Sequence, residues 1–267
     1  MGHTQAVGSA LRGERRGGYS WPGSLVDATQ FWDNIFAQGE RLAYSRVEMP
    51  DRANPILRRA LQHFGDVRGR KLIDVGCGRG ASSLYFASFG ADVISVDLSG
   101  VAVRNLEDYC RRHNVGNVRP VRLSALEMRS LGKVDLVFGS MILHHIEPFA
   151  RFAAELRAVL PQGGKAFFWE NNSRSQLMIW FRQHIVGKLW VPKHGDADEF
   201  PLTPEEVDQL RDVFTVEVEY PELVLFRMIS RYLFRGHWMW PFEIADRYAY
   251  RFPRLRKYSY QQYLCLS

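Results

Sequence analysis

Two carboxylates, Asp74 and Asp97, flank three glycines at alternate positions, Gly76, Gly78 and Gly80, in a chain of 267 residues. The stretch Leu72-Ile73-Asp74-Val75-Gly76-Cys77-Gly78-Arg79-Gly80 is an apolar strand that runs into an acid and then a glycine loop. Such a loop turns sharply and lets a nucleotide-like ligand reach main-chain N–H groups that a Cβ would screen. The following Ala81-Ser82-Ser83-Leu84-Tyr85-Phe86-Ala87 reads as a helix whose N-terminus points at that ligand. Gly76, Gly78 and Ala81 also satisfy the dinucleotide fingerprint, with Asp97 the expected ~20 residues on. Asp74 separates the two readings, because a pyrophosphate gains nothing from another negative charge and a ligand bearing an ammonium group does. The alternative for Asp74 is a cap on the glycine-loop N–H groups.

Further along, His144 and His145 are adjacent groups of the kind that accept protons near neutrality. The alternative is that both simply hold a turn. Glu170 and Asn171 could bind a polar substrate group. His184, His194 and His237 fall in less regular segments and read as surface or packing residues. No spacing of His, Cys and acids suggests a metal site. Cys77, Cys110 and Cys265 cannot all pair, which fits a reducing, cytoplasmic setting.

Several elements must position these residues. Strands are expected at 71–75, 91–96, 118–123, 134–139 and 164–170, alternating with helices, so the fold class is α/β: a Rossmann-like mixed sheet of about seven strands with helices on both faces. Ala102, Leu106, Tyr109 and Cys110 share one helical face, as do Phe149, Phe152, Ala153, Leu156 and Leu160. Residues 1–20 read as a disordered tail, 24–64 as a helical cap with anchors Phe31, Trp32, Phe36 and Tyr44, and 65–171 as the ligand-binding core of a single domain over 21–267. Thr203-Pro204-Glu205-Glu206 is a capping-box helix start. The sheet is expected to resume at 215–226 and finish at 258–266. The aromatic insertions 172–200 and 227–257 follow strands on the side where open α/β sheets bind ligands. They read as a lid over a partly apolar acceptor, with Trp180 and Trp238 as contacts, although an enlarged core is the plainer fate of such residues.

The 46% hydrophobic and 24% charged composition is that of a globular protein, and no apolar run reaches the ~18 residues of a membrane span. The N-terminus has no apolar run of a secretory signal. A net charge of +6 admits nucleic acid as a partner, but the cations are scattered singly among apolar residues, which makes that unfavoured.

Taken together, Asp74, the Gly-x-Gly-x-Gly loop, Val93-Ile94-Ser95-Val96-Asp97-Leu98-Ser99, Val134-Asp135-Leu136-Val137-Phe138-Gly139-Ser140 with the turn Met141–Ile146, and Leu156–Gly164 resemble, in order, the motifs of class I S-adenosylmethionine (SAM)-dependent methyltransferases of the small-molecule type. The resemblance covers about residues 65–171. It implies SAM as cofactor and S-adenosylhomocysteine as product. The expected cofactor contacts are Asp74, Gly76, Cys77, Gly78, Gly80, Asp97, Leu98, Ser124, Ala125, Leu126 and Ser140, with Asp97 on the ribose hydroxyls. Many relatives place an aspartate after strand three to meet the adenine amino group. Here Ser124 stands in that region, with the N–H groups near Ala125 or Leu126. By the same resemblance His144 faces substrate as the base and His145 packs. The implied reaction is methyl transfer to a small organic acceptor in secondary metabolism or sugar or glycan biosynthesis, to oxygen first, then nitrogen, then carbon. The rivals are an RNA or protein methyltransferase, and a SAM-binding protein of this fold with a non-methylating reaction.

Overall fold

In a computed structural model, residues 25–38, 47–175, 179–180, 201–234 and 237–267 are described. The expected tail at 1–20, the anchor Tyr44 and most of the insertion 172–200 lie outside them.

Seven strands form one sheet: β1 (Lys71–Val75), β2 (Asp92–Asp97), β3 (Val118–Arg122), β4 (Leu136–Ser140), β5 (Lys165–Asn171), β6 (Val216–Glu219) and β7 (Gln261–Leu266). Their order is β3-β2-β1-β4-β5-β7-β6. β1 to β5 pair in parallel, and β7 inserts antiparallel between β5 and β6. The chain winds one way from β1 to β3 and the other way from β4, so the strand order reverses between β1 and β4. A crevice opens at the carboxyl ends of the strands at such a point.

The period-2 alternation of the strands decides what each face receives. Ile73, Val75, Ile94, Val96, Val137 and Phe168 pack on one face under α5 (Phe149–Val159) and α6 (Pro204–Arg211). Leu72, Val93, Leu136, Phe138 and Phe167 pack on the other, under α2 (Pro55–Phe64), α3 (Ala81–Ser88) and α4 (Gly100–Arg112). By the same alternation Asp74, Ser95 and Asp97 fall on the α3 face, where they form a polar trail through an apolar layer.

The helix ends follow local rules. Asn54 caps α2, its side chain accepting from the N–H groups of Ile56 and Leu57, with Pro55 in the first turn. α6 starts on the expected capping box, Thr203 and Glu206 bonding reciprocally.

Two expectations on element bounds change. The strand foreseen over 215–226 ends at Glu219, because Pro221 cannot donate to a ladder. The helical segment foreseen as a cap divides: α1 (Leu25–Gln38) lies over the crevice, whereas α2 buries Leu57, Ala60 and Phe64 against the sheet and belongs to the core. Arg59 on α2 also grips Glu219 at the end of β6, Nε to Oε2 at 2.7 Å. The C-terminal insertion forms α7 (Phe226–Leu233), α8 (Met239–Tyr250) and α9 (Pro253–Arg256).

Candidate active site

The crevice is a cleft of about 190 Å³ at the tips of β1, β2 and β4, roofed by Trp32 and Phe36 of α1. Its floor is the glycine loop. Gly76, Gly78 and Gly80 all take left-handed φ angles of 65°, 50° and 74°. Space as well as φ restricts two of them, since a Cβ on Gly76 would come within 2.5 Å of Ile142 and one on Gly80 within 2.4 Å of Leu106. A Cβ on Gly78 would instead come 3.3 Å from the ring of Phe36, across the mouth of the cleft.

Asp97 closes β2 with its carboxylate in the cleft wall. One oxygen accepts from Gly78 N at 2.8 Å and the other from Ser99 N at 2.8 Å, so the residue shapes the loop and still lines the cavity. Burial pushes its carboxyl above the usual range, and the N–H bonds of Ser99 and Gly78 oppose that rise.

Asp74 is 1% exposed and turned toward α3. Its Oδ2 accepts from Ser82 Oγ at 2.7 Å and Ser83 Oγ at 2.5 Å, and Ser95 Oγ donates in turn to Ser83. Burial drives its carboxyl up to about 6 against the pull of the two serines, with the nearby Asp97 adding to the rise. The structure thus gives Asp74 a tie to the helix that follows the loop.

Beside Asp97 the cleft is lined by Leu98, Ser124, Ala125 and Leu126. Ser124 Oγ accepts from Leu126 N at 3.2 Å, capping the 3-10 turn Ala125–Leu131 at the cleft edge. The residues foreseen as cofactor contacts therefore divide. Gly76, Gly78, Asp97, Leu98, Ser124, Ala125 and Leu126 meet at the cleft. Asp74, Cys77, Gly80 and Ser140 stand behind it. The Cys77 thiol is buried and raised well above its ordinary value by that burial, then by Asp97 and Asp74.

The two histidines take the reverse of the expected directions. His144 is buried with Nδ1 2.6 Å from Glu170 Oε2, whereas His145 lines the cleft and meets Trp32 edge-on at 5.1 Å between ring centroids. Glu170, foreseen as a substrate contact, is fully buried. Its Oε1 accepts from Ile142 N at 2.8 Å and Leu143 N at 2.7 Å, so β5 clamps the turn after β4. Asn171 is buried in the ladder with β7. Trp180 is half exposed and Trp238 is 72% exposed, and neither belongs to the cleft wall. Cleft residues that the sequence did not single out include Met141, whose φ of 55° is strained for a non-glycine residue, and Ile142. Adjacency to the histidines was the one signal for them.

These residues fit a cofactor with a ribose, a flat base and a charged amino-acid end. Asp97 offers carboxylate oxygens to hydroxyls, the apolar shelf of Leu98 and Leu126 suits a ring, and Gly76 and Gly78 bring bare main chain to the floor.

Residues 73–168 match the family described as a methyltransferase domain. Over 116 residues the chain is 31% identical to a ubiquinone biosynthesis O-methyltransferase of Methylococcus capsulatus, covering 43% of this chain and 49% of that one. The chain thus spans about half the length of this curated relative. Among solved structures, magnesium protoporphyrin IX methyltransferase of Synechocystis PCC 6803, with bound SAH, aligns over 91% of this chain and 99% of its own at 15% identity with a TM-score of 0.59. The [4+2]-cyclase SpnF aligns over 91% of this chain and 95% of its own at 17% identity with a TM-score of 0.60. These two likenesses concern the fold. The ordered motifs, the reversed strand order and the matched domain over residues 73–168 support a core of the class I S-adenosylmethionine-dependent methyltransferase kind.

Proposed function

We propose that the protein transfers the methyl group of SAM to a small organic acceptor, with oxygen as the first choice of acceptor atom. The observation that carries this reading is the cleft itself, in which the Asp97 carboxylate and the bare main chain of Gly76 and Gly78 converge at the strand-order reversal. SAM, when bound, supplies a methyl group on a sulfonium centre, ready for in-line displacement. The chain has to align the acceptor, keep water out and take up a proton. Trp32 and Phe36 line the mouth of the cleft, where their rings exclude water from a bound acceptor. His145 is the side chain placed to accept the acceptor's proton, while His144 and Glu170 hold the turn that presents it. Oxygen is supported by the available imidazole and by curated relatives named as O-methyltransferases of ubiquinone biosynthesis. Three buried, unbridged thiols support the cytoplasm as its place of work.

The test is calorimetric titration with SAM, beside chromatographic detection of S-adenosylhomocysteine formed with a panel of phenolic and hydroxyl acceptors. Asp97→Ala removes the proposed bonds from the two ribose hydroxyls, each to a charged acceptor and worth roughly 1.5–3 kcal/mol, and is expected to weaken SAM binding more than about tenfold. Unchanged affinity in a folded Asp97→Ala protein would sink the cofactor assignment. SAM binding with no S-adenosylhomocysteine from any acceptor would favour a non-methylating reaction on the same fold.

A further inference from the structure

The C-terminal insertion turns an aromatic face to solvent. Trp240, Ile244 and Tyr248 recur at i, i+4 and i+8 on α8 and are 68%, 55% and 61% exposed. Phe252 and Leu255 extend the row into α9, and Trp238 stands ahead of it. Single exposed apolar residues are ordinary on any protein. A row of large ones along one helical hairpin marks an interaction surface.

The hairpin is anchored from behind, so the row is a presented face and not a frayed end. Asp246 and Ala249 on the opposite side of α8 are buried. The Asp246 carboxylate accepts from the N–H groups of Leu225, Phe226 and Arg227 at the start of α7, at 3.0, 2.8 and 3.0 Å, and from Arg227 Nε at 3.2 Å. Tyr250 Oη donates to Tyr220 O beyond β6, and Asn172 Nδ2 donates to Lys257 O and Ser259 O at 3.0 and 2.9 Å. The outer face is held in place from both of its ends.

Cations border the row. Arg247, Arg251, Arg254 and Lys257 are exposed beside it, and the acid among them is Glu243, 4.0 Å from Arg247. Arg251 lies over the Tyr248 ring at 5.9 Å and Lys257 over the Tyr258 ring at 5.2 Å. Aromatic bodies with long cationic side chains at their margins are the makeup of helices that lie in a membrane interface, where rings enter the headgroup boundary and charged tips reach lipid phosphates. A second copy of the same face would oppose cations to cations across a two-fold axis. Among the described residues no helix is long and apolar enough to cross a bilayer, so contact from this hairpin is from one side.

We propose that the α8–α9 face docks this protein on the surface of an anionic lipid bilayer. The proposal is independent of which reaction the cleft performs.

The experiment is flotation of the full-length protein with vesicles of phosphatidylcholine alone or with about one-third phosphatidylglycerol, at low and high salt, with tryptophan emission recorded in parallel. Binding to the anionic vesicles with a blue-shifted emission is expected, weakened roughly tenfold or more by high salt or by omission of the anionic lipid. The triple variant Trp240→Ser, Ile244→Ser, Tyr248→Ser and, separately, Arg251→Gln, Arg254→Gln, Lys257→Gln are each expected to lose about tenfold in partitioning while keeping SAM affinity. If the apolar variant does not fold, the charge variant decides alone. Equal partitioning to both vesicle types, or unchanged partitioning in the charge variant, overturns the proposal. A dimer in sedimentation that the substitutions abolish, with no vesicle binding, assigns the face to a second copy and overturns it as well.

Discussion

His144 and His145 are neighbours in a single 3-10 turn, Leu143–His145, and in such a turn successive side chains point about 120° apart. One must face in when the other faces out. The buried carboxylate of Glu170 decides which, because it already accepts from Ile142 N and Leu143 N and its second oxygen draws His144 inward. His145→Ala is therefore expected to lower kcat by roughly 10²–10⁴ while SAM affinity and melting temperature stay near those of the parent. His144→Ala should instead lower the melting temperature. Equal kcat losses with equal destabilisation in both variants would reduce the pair to a structural turn. Asp74 makes a separate prediction about pH. Its carboxyl is raised from 3.8 to about 6 in the fold, so the folded state holds its proton more tightly than the unfolded chain does. The stability this contributes is fully present below about 3.8 and is lost as pH rises through about 6. The total is on the order of 3 kcal/mol. Asp74→Asn keeps an oxygen for the serine hydroxyls and removes the proton, so urea denaturation across that window should show a smaller decline than in the parent. An unchanged pH profile would show that Asp74 does not titrate there.

At the scale of elements, α1 is attached to the cleft by a bond between residues 66 positions apart. Asp33 Oδ1 accepts from Ser99 Oγ at 2.6 Å and from Val101 N at 3.2 Å, capping α4 from outside. Burial works against the ionised Asp33, but the Ser99 and Val101 bonds outweigh it and its carboxyl stays below the ordinary range. Ser99 also donates its N–H to Asp97, so the helix over the cleft and the carboxylate inside it share one residue. With α1 seated, the cleft of about 190 Å³ is smaller than the roughly 300–1,000 Å³ of ordinary ligand pockets, and α1 is expected to open when a cofactor enters. Asp33→Ala should cost about 1 kcal/mol of helix docking and raise the open population roughly fivefold. Hydrogen exchange over 25–38 would accelerate, and SAM would dissociate faster, with β1 to β5 unaffected. Exchange that is unchanged across 25–38 would mean that the bond is not what holds the helix down.

At the scale of the whole molecule, two apolar layers on a single sheet make the cleft rigid. Phe138 sits in the middle of one layer, its ring 5.0 Å from Phe86 and stacked on Phe167 at 6.1 Å. Phe138→Ala should cost about 3–5 kcal/mol and weaken SAM binding with it, since β4 carries the turn to His145. Denaturation that is unchanged by this substitution would mean that the layer is not shared between stability and site. The elements legible in the sequence were those set by short-range rules: the strand before the glycines, the acid closing β2, the capping box at Thr203, and the parallel alternation of 71–170. A glycine loop or a strand tip is defined within a few residues, so spacing alone brings Gly76, Gly78 and Asp97 to one cleft, whereas Asp74 turns behind it to the serines of α3. What spacing could not place were side chains whose direction depends on a partner far along the chain. Glu170 turns His144 away from the cleft, Ser99 draws in Asp33 with its helix, and the Phe64 face puts α2 into the core. Asp246 anchors the hairpin so that its aromatic row faces outward, although composition alone suited a lid just as well. In each case an apolar or aromatic residue has several surfaces on which it could be buried, and a buried carboxylate has several donors it could accept from. Only the packed tertiary structure, in which nearly every buried polar group must find its partner, selects among them.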